Sequence, residues 1–334
     1  MRSRAATVLL LAVPTAAFAH HSRSHYPDQV QELEGELVAV HWTNPHVGFT
    51  VKVVNEAGQE EEWRVEGVSN LVGMQRGGVT RDFFTIGERV KVAGSASMRR
   101  PRDMLASNLL LENGTEVVLV RNGELHWAEQ DIGPYAPRVT ETGPVDAASE
   151  NLGVFRVWSN VPDGVGQRTH FSFTEEAIAA RSAWNPIDNF AERCEPEGMP
   201  RIMRNPHPFQ FVNHGSEIDL ISELYDLIRV IHMDRSTPPA DEPLSPLGYS
   251  IGRWDGSILV VTTTRINWPY FDNIGSPQSE AVEIVEQFTV SEDQTRLDYQ
   301  FAVTDPATFA EPAVYERYWL ALGETIEHYD CQVY

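Results

Sequence analysis

From residue 31 onward the apolar residues come in strand-length runs broken by turn residues, and that rhythm confines the chain to a mainly β fold. Val47, Phe49, Val51 and Val53 alternate with small or polar neighbours, the period of a half-buried strand, and Asn55-Glu56-Ala57-Gly58 ends the run as a turn. Residues 34–40 make a strand before it, and residues 61–67 a third around Trp63 and Val65. Ser69 is placed to cap a short helix over residues 70–76 that Gly77-Gly78 stops. Strands are expected again at 89–93, 106–111 and 116–120. Three strands, a short helix and then more strands is the order of a small OB-like barrel.

Between residues 123 and 151 the texture changes to Gly, Pro, Thr and acidic residues without periodicity, with Pro134, Pro137 and Pro144, the composition of a linker. Thr174-Glu175-Glu176 then opens a short capped helix. Strand-like runs follow at 209–213, 217–224, 227–233, 250–254, 258–264, 280–290, 296–303, 313–320 and 324–329, with Trp254-Asp255-Gly256-Ser257-Ile258 as a hairpin turn. This spacing predicts a larger antiparallel β-barrel or curved-sheet domain, with an interior able to take a ligand. The expected organisation is a presequence at 1–19, an OB-like barrel at 20–122, a linker at 123–151 and the second β-rich domain at 152–334.

The presequence is read from a basic Met-Arg-Ser-Arg start, an apolar run over 5–18 and an Ala17-Phe18-Ala19 ending. These are the parts of a cleaved secretory signal, and the apolar run is too short for a stable membrane span. A periplasmic or secreted protein is expected. The formal net charge of −22 becomes more acidic once Arg2 and Arg4 are removed, and only Lys52 and Lys91 are lysines. Such a surface repels nucleic acid and anionic lipid, so neither is an expected partner, and no later run approaches a transmembrane length. The two cysteines, Cys194 and Cys331, suit a disulfide in an oxidising compartment, closing a loop of about 137 residues; two buried free thiols are the alternative.

Two groups of residues carry candidate chemistry. Cleavage after Ala19 leaves His20 at the mature N-terminus, with His21 and His25 close behind. An α-amino group and imidazole on one residue chelate copper, and His41 or His46, flanking Trp42-Thr43-Asn44-Pro45, could add a further imidazole. An ordinary turn at Asn44-Pro45-His46, with His20-His21 as a plain N-terminal tip, is the favoured alternative. A second Asn-Pro-His, at 205–207, reads as a proline-stiffened loop entering a strand. In the C-terminal domain Glu223, Tyr225, Arg229, His232 and Asp234 fall within twelve residues, followed by Arg253 and Trp254. Strand geometry places Glu223, Tyr225 and Arg229 on one face. Tyr225, Arg229, Arg253 and Trp254 suit a polar or aromatic ligand; His232 with Glu223 or Asp234 suits acid–base catalysis. Mutual pairing of these charges on a solvated face is the plainer alternative. No G-x-S-x-G, H-E-x-x-H, P-loop or dinucleotide fingerprint is present.

Ala19-His20-His21-Ser22, Glu34-Gly35, Trp42-Thr43-Asn44-Pro45-His46 and Thr80-Arg81-Asp82 resemble the start of DUF6152, a group of exported bacterial proteins of unknown function. The second half resembles a β-rich domain found with it, through Arg193-Cys194-Glu195-Pro196, Gly198-Met199-Pro200-Arg201-Ile202-Met203, Ile251-Gly252-Arg253-Trp254-Asp255-Gly256 and Tyr329-Asp330-Cys331. The resemblance implies export, two parts and a Cys194–Cys331 pairing, and no activity. Val260-Val261-Thr262, Pro277-Gln278-Ser279-Glu280 and Val285-Glu286-Gln287 depart from its pattern of an aspartate, a histidine and an arginine there. The expected function is binding of a small polar or aromatic molecule in the C-terminal domain, with a copper ion at the N-terminal histidines. A cofactor-independent hydrolase, lyase or isomerase is the alternative.

Overall fold

A computed structural model describes residues 26–44, 46–98, 100–120, 123–128, 131–133, 152–160, 167–185, 189–323, 325–329 and 331. The expected presequence, His20, His21 and His25, and most of the expected linker lie outside the described residues. The chain forms two β-barrels. The first contains β1 (Gln31–His41), β2 (Gly48–Val54), β3 (Glu60–Gly67), β4 (Arg89–Ala96) and β5 (Asp103–Leu110), in the order β3-β2-β1-β4-β5, closed by a parallel β3–β5 pairing. β6 (Glu116–Val118) and β7 (Asp131–Ile132) extend that sheet beyond β5. The five-stranded OB-like barrel is therefore present, and residues 131–132 stay with it.

Closure depends on β1 serving two partners. Its first half pairs with β4 and its second half with β2, and the two meet at Glu36. Gly35 sits at that bend: a Cβ there would lie 2.3 Å from the Lys52 carbonyl oxygen, so only glycine lets the backbones approach. Alternation then fills the interior with Leu37, Phe49, Val51, Val65, Val92, Met104 and Leu109. Helix α1 (Leu71–Arg76) covers one end and inserts Met74. Its cap is Asn70, whose Oδ1 accepts from the Gly73 amide at 2.7 Å, and not Ser69 one residue earlier.

The larger barrel uses β8 (Val157–Asn160), β10 (Phe209–Asn213), β11 (Glu217–Ser222), β12 (Leu227–His232), β13 (Tyr249–Asp255), β14 (Ile258–Thr264), β15 (Glu283–Val290), β16 (Arg296–Thr304) and β17 (Ala313–Leu320). β17 pairs with both β16 and β8, closing nine strands, and β9 (Arg168–His170) pairs outside β17. Helix α2 (Glu175–Ala183) is capped by Thr174 as expected. The pairing is antiparallel except between β12 and β13. Residues 325–329, expected as a further strand, are not in one. The amides of Glu327 and Tyr329 meet side-chain carboxylates instead, as described below.

The interior of this barrel is occupied by its own side chains. Trp158, Phe211, Phe288, Phe301, Tyr315 and Trp319 are all fully buried; Phe211 meets Phe288 edge-to-face, Trp319 meets Phe209 likewise, and Phe301 stacks on Tyr315. A ligand-sized interior is thus not what the described residues form. The cavity lined by Ile202, Met203, Asn205, His207, Phe209, Leu220, Ser222 and Trp319 has free space of about 10 Å³, the room of one water.

Candidate functional site

The segment from Cys194 to His207 plugs one end of the larger barrel. Cys194 is bonded to Cys331 with a Cα separation of 5.8 Å, so the paired-cysteine expectation holds. The Met199 amide donates to the Pro246 carbonyl at 2.9 Å, and the Gln278 side-chain amide donates to the carbonyls of Met199 and Trp268 at 2.8 and 2.9 Å. Gly198 lies against the Trp268 indole, where a Cβ would come within 2.4 Å. A 3-10 turn over Arg201–Arg204 follows. Asn205 then accepts from the His207 amide at 2.8 Å, which turns the chain and sets the imidazole.

His207 and Glu223 meet there. His207 Nδ1 lies 3.1 Å from Glu223 Oε1, and both residues are buried. The Glu327 amide donates to Glu223 Oε2 at 3.3 Å. The Tyr329 ring stands edge-on to His207 at 5.1 Å and against Tyr225 at 5.0 Å, and its amide donates to Asp226 at 3.0 Å. Beside them Arg201 pairs with buried Glu197 at 3.3 Å. Burial pushes the Glu197 carboxyl up, against the pull of Arg201 and Arg204. Burial also pushes up the phenols of Tyr225 and Tyr329, with Glu197 adding to both.

The first barrel covers this cluster. Asn70 Nδ2 is 3.5 Å from each ring nitrogen of His207, and Asn44 forms a β-bridge with Cys331 while its Oδ1 accepts from the Leu71 amide at 3.2 Å. Both Asn-Pro-His stretches thus supply residues to one seam.

The expected partner of Glu223, His232, is elsewhere. His232 is opposite Glu217 in the β11–β12 hairpin, and Glu223 follows Ser222 at the hairpin's other end, roughly 17 Å along the strand. His232 Nδ1 lies 3.1 Å from Glu217 Oε1 and the ring stacks on Tyr249 at 4.3 Å. Asp234 is exposed beside Arg235. The shared face expected for Glu223, Tyr225 and Arg229 is broken by a 3-10 turn over Leu224–Asp226, with Tyr225 at φ 59° and Asp226 at φ 50°. Arg229 points into the barrel, where Glu286 already takes it bidentately; Ser250 and Thr263 accept from it at 2.9 and 2.7 Å. Arg253 and Trp254 lie on the outside, Arg253 at 3.7 Å from Asp255 and Trp254 edge-on to Phe155.

In the first barrel His46 Nδ1 is 2.6 Å from Glu66 Oε1, and His41 Nε2 is 3.3 Å from Thr50 Oγ1. Burial, then Arg64, holds the His41 imidazole below its usual range. Among the described residues no three His, Cys, Asp or Glu side chains are grouped to hold a metal. Tyr26, next after the expected ligand segment, donates to Asp103 at 2.9 Å, and its phenol is pushed up by burial, then by Asp103 and Glu66.

Sequence reasoning passed over His207, Glu197 and Tyr329. The signal available was the Gly198-to-Met203 motif, which runs directly into the second Asn-Pro-His.

The fold and this seam define a two-barrel β protein with a plugged larger barrel. Residues 8–105 match DUF6152, a family of unknown function, so the N-terminal resemblance is to that family. No curated protein matches the chain. No helix among the described residues is long and apolar enough to cross a membrane.

Proposed function

We propose that this is an exported protein that binds a small polar or aromatic molecule at the plugged end of its larger barrel, under the first barrel. One observation carries the reading: His207–Glu223, Glu197–Arg201, Tyr225 and Tyr329 converge at the seam between two domains, several with perturbed proton affinities. Domain seams and clustered perturbed groups are the usual setting of ligand sites. Entry requires residues 325–329 to lift from Glu223 and Asp226. The presequence and the disulfide support export. The test is native mass spectrometry of protein processed in its own cell envelope. A co-purifying small molecule, lost on His207→Ala with the fold retained, is the expected result; an empty protein whose unfolding temperature no polar or aromatic compound raises would refute the reading.

The 3.1 Å His207–Glu223 contact favours a second reading, in which Glu223 orients His207 as a general base in a cofactor-independent enzyme. Turnover of the bound molecule by wild type, abolished in Glu223→Gln while binding persists, distinguishes catalysis from storage.

We also propose a copper ion held by His20 with His46, supported by Tyr26, which brings the chain to Asp103 beside Glu66 and its partner His46. Intact mass with metal analysis tests it. A chain beginning at His20 or His21 with one copper, lost on His46→Ala, is expected; a chain beginning at Ser22 or later, or copper retained in that variant, rules it out.

A further inference from the structure

We infer that Arg204 anchors an anion subsite, so that the molecule taken at the plugged end carries a carboxylate. This rests on the binding reading above and names the class of its ligand. The Arg204 guanidinium carbon lies over three rings, 5.5 Å from the centre of Phe171 and 5.2 Å from those of Phe271 and Tyr315. Contacts of this kind with ring faces take no conventional hydrogen bond from the guanidinium. Nη1 is buried without a hydrogen-bond acceptor among the described residues. A buried charged donor in that condition is costly, and a planar oxyanion meeting the fork edge-on relieves it.

Of the chain's own carboxylates nearby, Glu197 meets Arg201 through Oε1 at 3.3 Å, while its Oε2 is buried without a donor among the described residues. Asp272 accepts from the amides of Ile274 and Ser276 through Oδ1, at 3.1 and 3.0 Å, and from the Ser276 hydroxyl through Oδ2 at 2.7 Å. Arg201 and Arg317 add like charge around Arg204; with burial, which is the larger effect, they lower its proton affinity. Arg317 itself donates to neutral oxygens, the Asn160 side chain and the Asn205 carbonyl. In a chain of net charge −22, three guanidiniums gathered at one barrel end make a local field opposite in sign to the surface. The ring-lined surroundings suit a carboxylate borne on an aromatic ring.

The experiment is calorimetric titration of the exported, processed protein with benzoate, with inorganic phosphate as the second probe. Benzoate is expected to bind, weaken as ionic strength rises, and lose at least tenfold in affinity on Arg204→Lys, which keeps the charge and removes the planar fork. Phenylglyoxal labelling of wild type, read by peptide mass, adds a measurement that needs no variant: benzoate should protect Arg204. Failure of benzoate to bind, binding of phosphate in its place, equal binding by the lysine variant, or no protection overturns the inference. An uncharged molecule found by native mass spectrometry would remove the anion and leave the binding reading standing.

Discussion

Inside the larger barrel the Arg229 guanidinium is fully committed to Glu286, Ser250 and Thr263, and Tyr299 donates to the same carboxylate at 2.8 Å. Two buried charges are tolerable here because their polar atoms are matched; removing one leaves the other alone. Glu286→Gln or Arg229→Met is therefore expected to cost about 3–5 kcal/mol in urea unfolding, with the apolar double variant recovering most of it. A cost below about 1 kcal/mol would mean that water reaches the pair. The sequence reading took Arg229 as a contact for a polar or aromatic ligand from its residue type and strand position; inside the barrel it meets Glu286. Its partner was invisible, because Glu286 is three strands away and no local pattern reports pairing across a sheet. Tyr225 was misplaced for a related reason: two residues at positive φ break the alternation, and neither is a glycine that would have announced the turn.

At the scale of elements, strands that alternate over a packed face were legible, and so was the order of the first barrel. Residues 325–329 were not, since Thr325, Ile326 and Tyr329 look strand-like while the amides of Glu327 and Tyr329 are held by Glu223 and Asp226. Glu116 shows the same device on the other barrel. Its carboxylate accepts from Asn108 Nδ2 and from the amides of His126, Trp127 and Ala128, at 2.6–2.9 Å, and so fastens the segment after β6. Burial alone would raise this carboxyl; the amide donors outweigh it and hold it below the ordinary glutamate range. Because the folded value is depressed, the stability it contributes is complete above the unfolded value of about 4.3 and is lost as pH falls through the folded one. Glu116→Gln is expected to cost ~2 kcal/mol at neutral pH, flatten that part of the acid limb, and speed amide exchange at residues 126–128. Unchanged exchange there would show that the segment is held by other contacts.

For the whole molecule the decisive link is Cys331, which is bonded to Cys194 and bridged to Asn44 of the other barrel. The bond spans 137 positions, and the chain-entropy account gives it up to about 5 kcal/mol. Cys331→Ser is expected to lower the urea midpoint and to raise exchange at residues 325–329, while the strand amides of the first barrel keep their protection, since its ladder closes on itself. Loss of protection in both barrels together would show one cooperative unit. The pairing of the cysteines was readable from their number and the compartment expected for the chain; that the bond sits on a seam was not, because nothing in the spacing of Asn44 and Cys331 relates them.

That arrangement also sets a timetable. The first barrel uses strands from Gln31 to Val118 and has everything it needs once they have emerged. The second waits for Ala313–Leu320, the staple between its two edges, and the seam waits longer still, for the amide of residue 327 and the thiol of residue 331. A newly made chain therefore spends the interval between residues 118 and 331 with a finished module beside an open sheet. No ligand is captured before then: whatever the seam does, it begins only once residue 331 has joined.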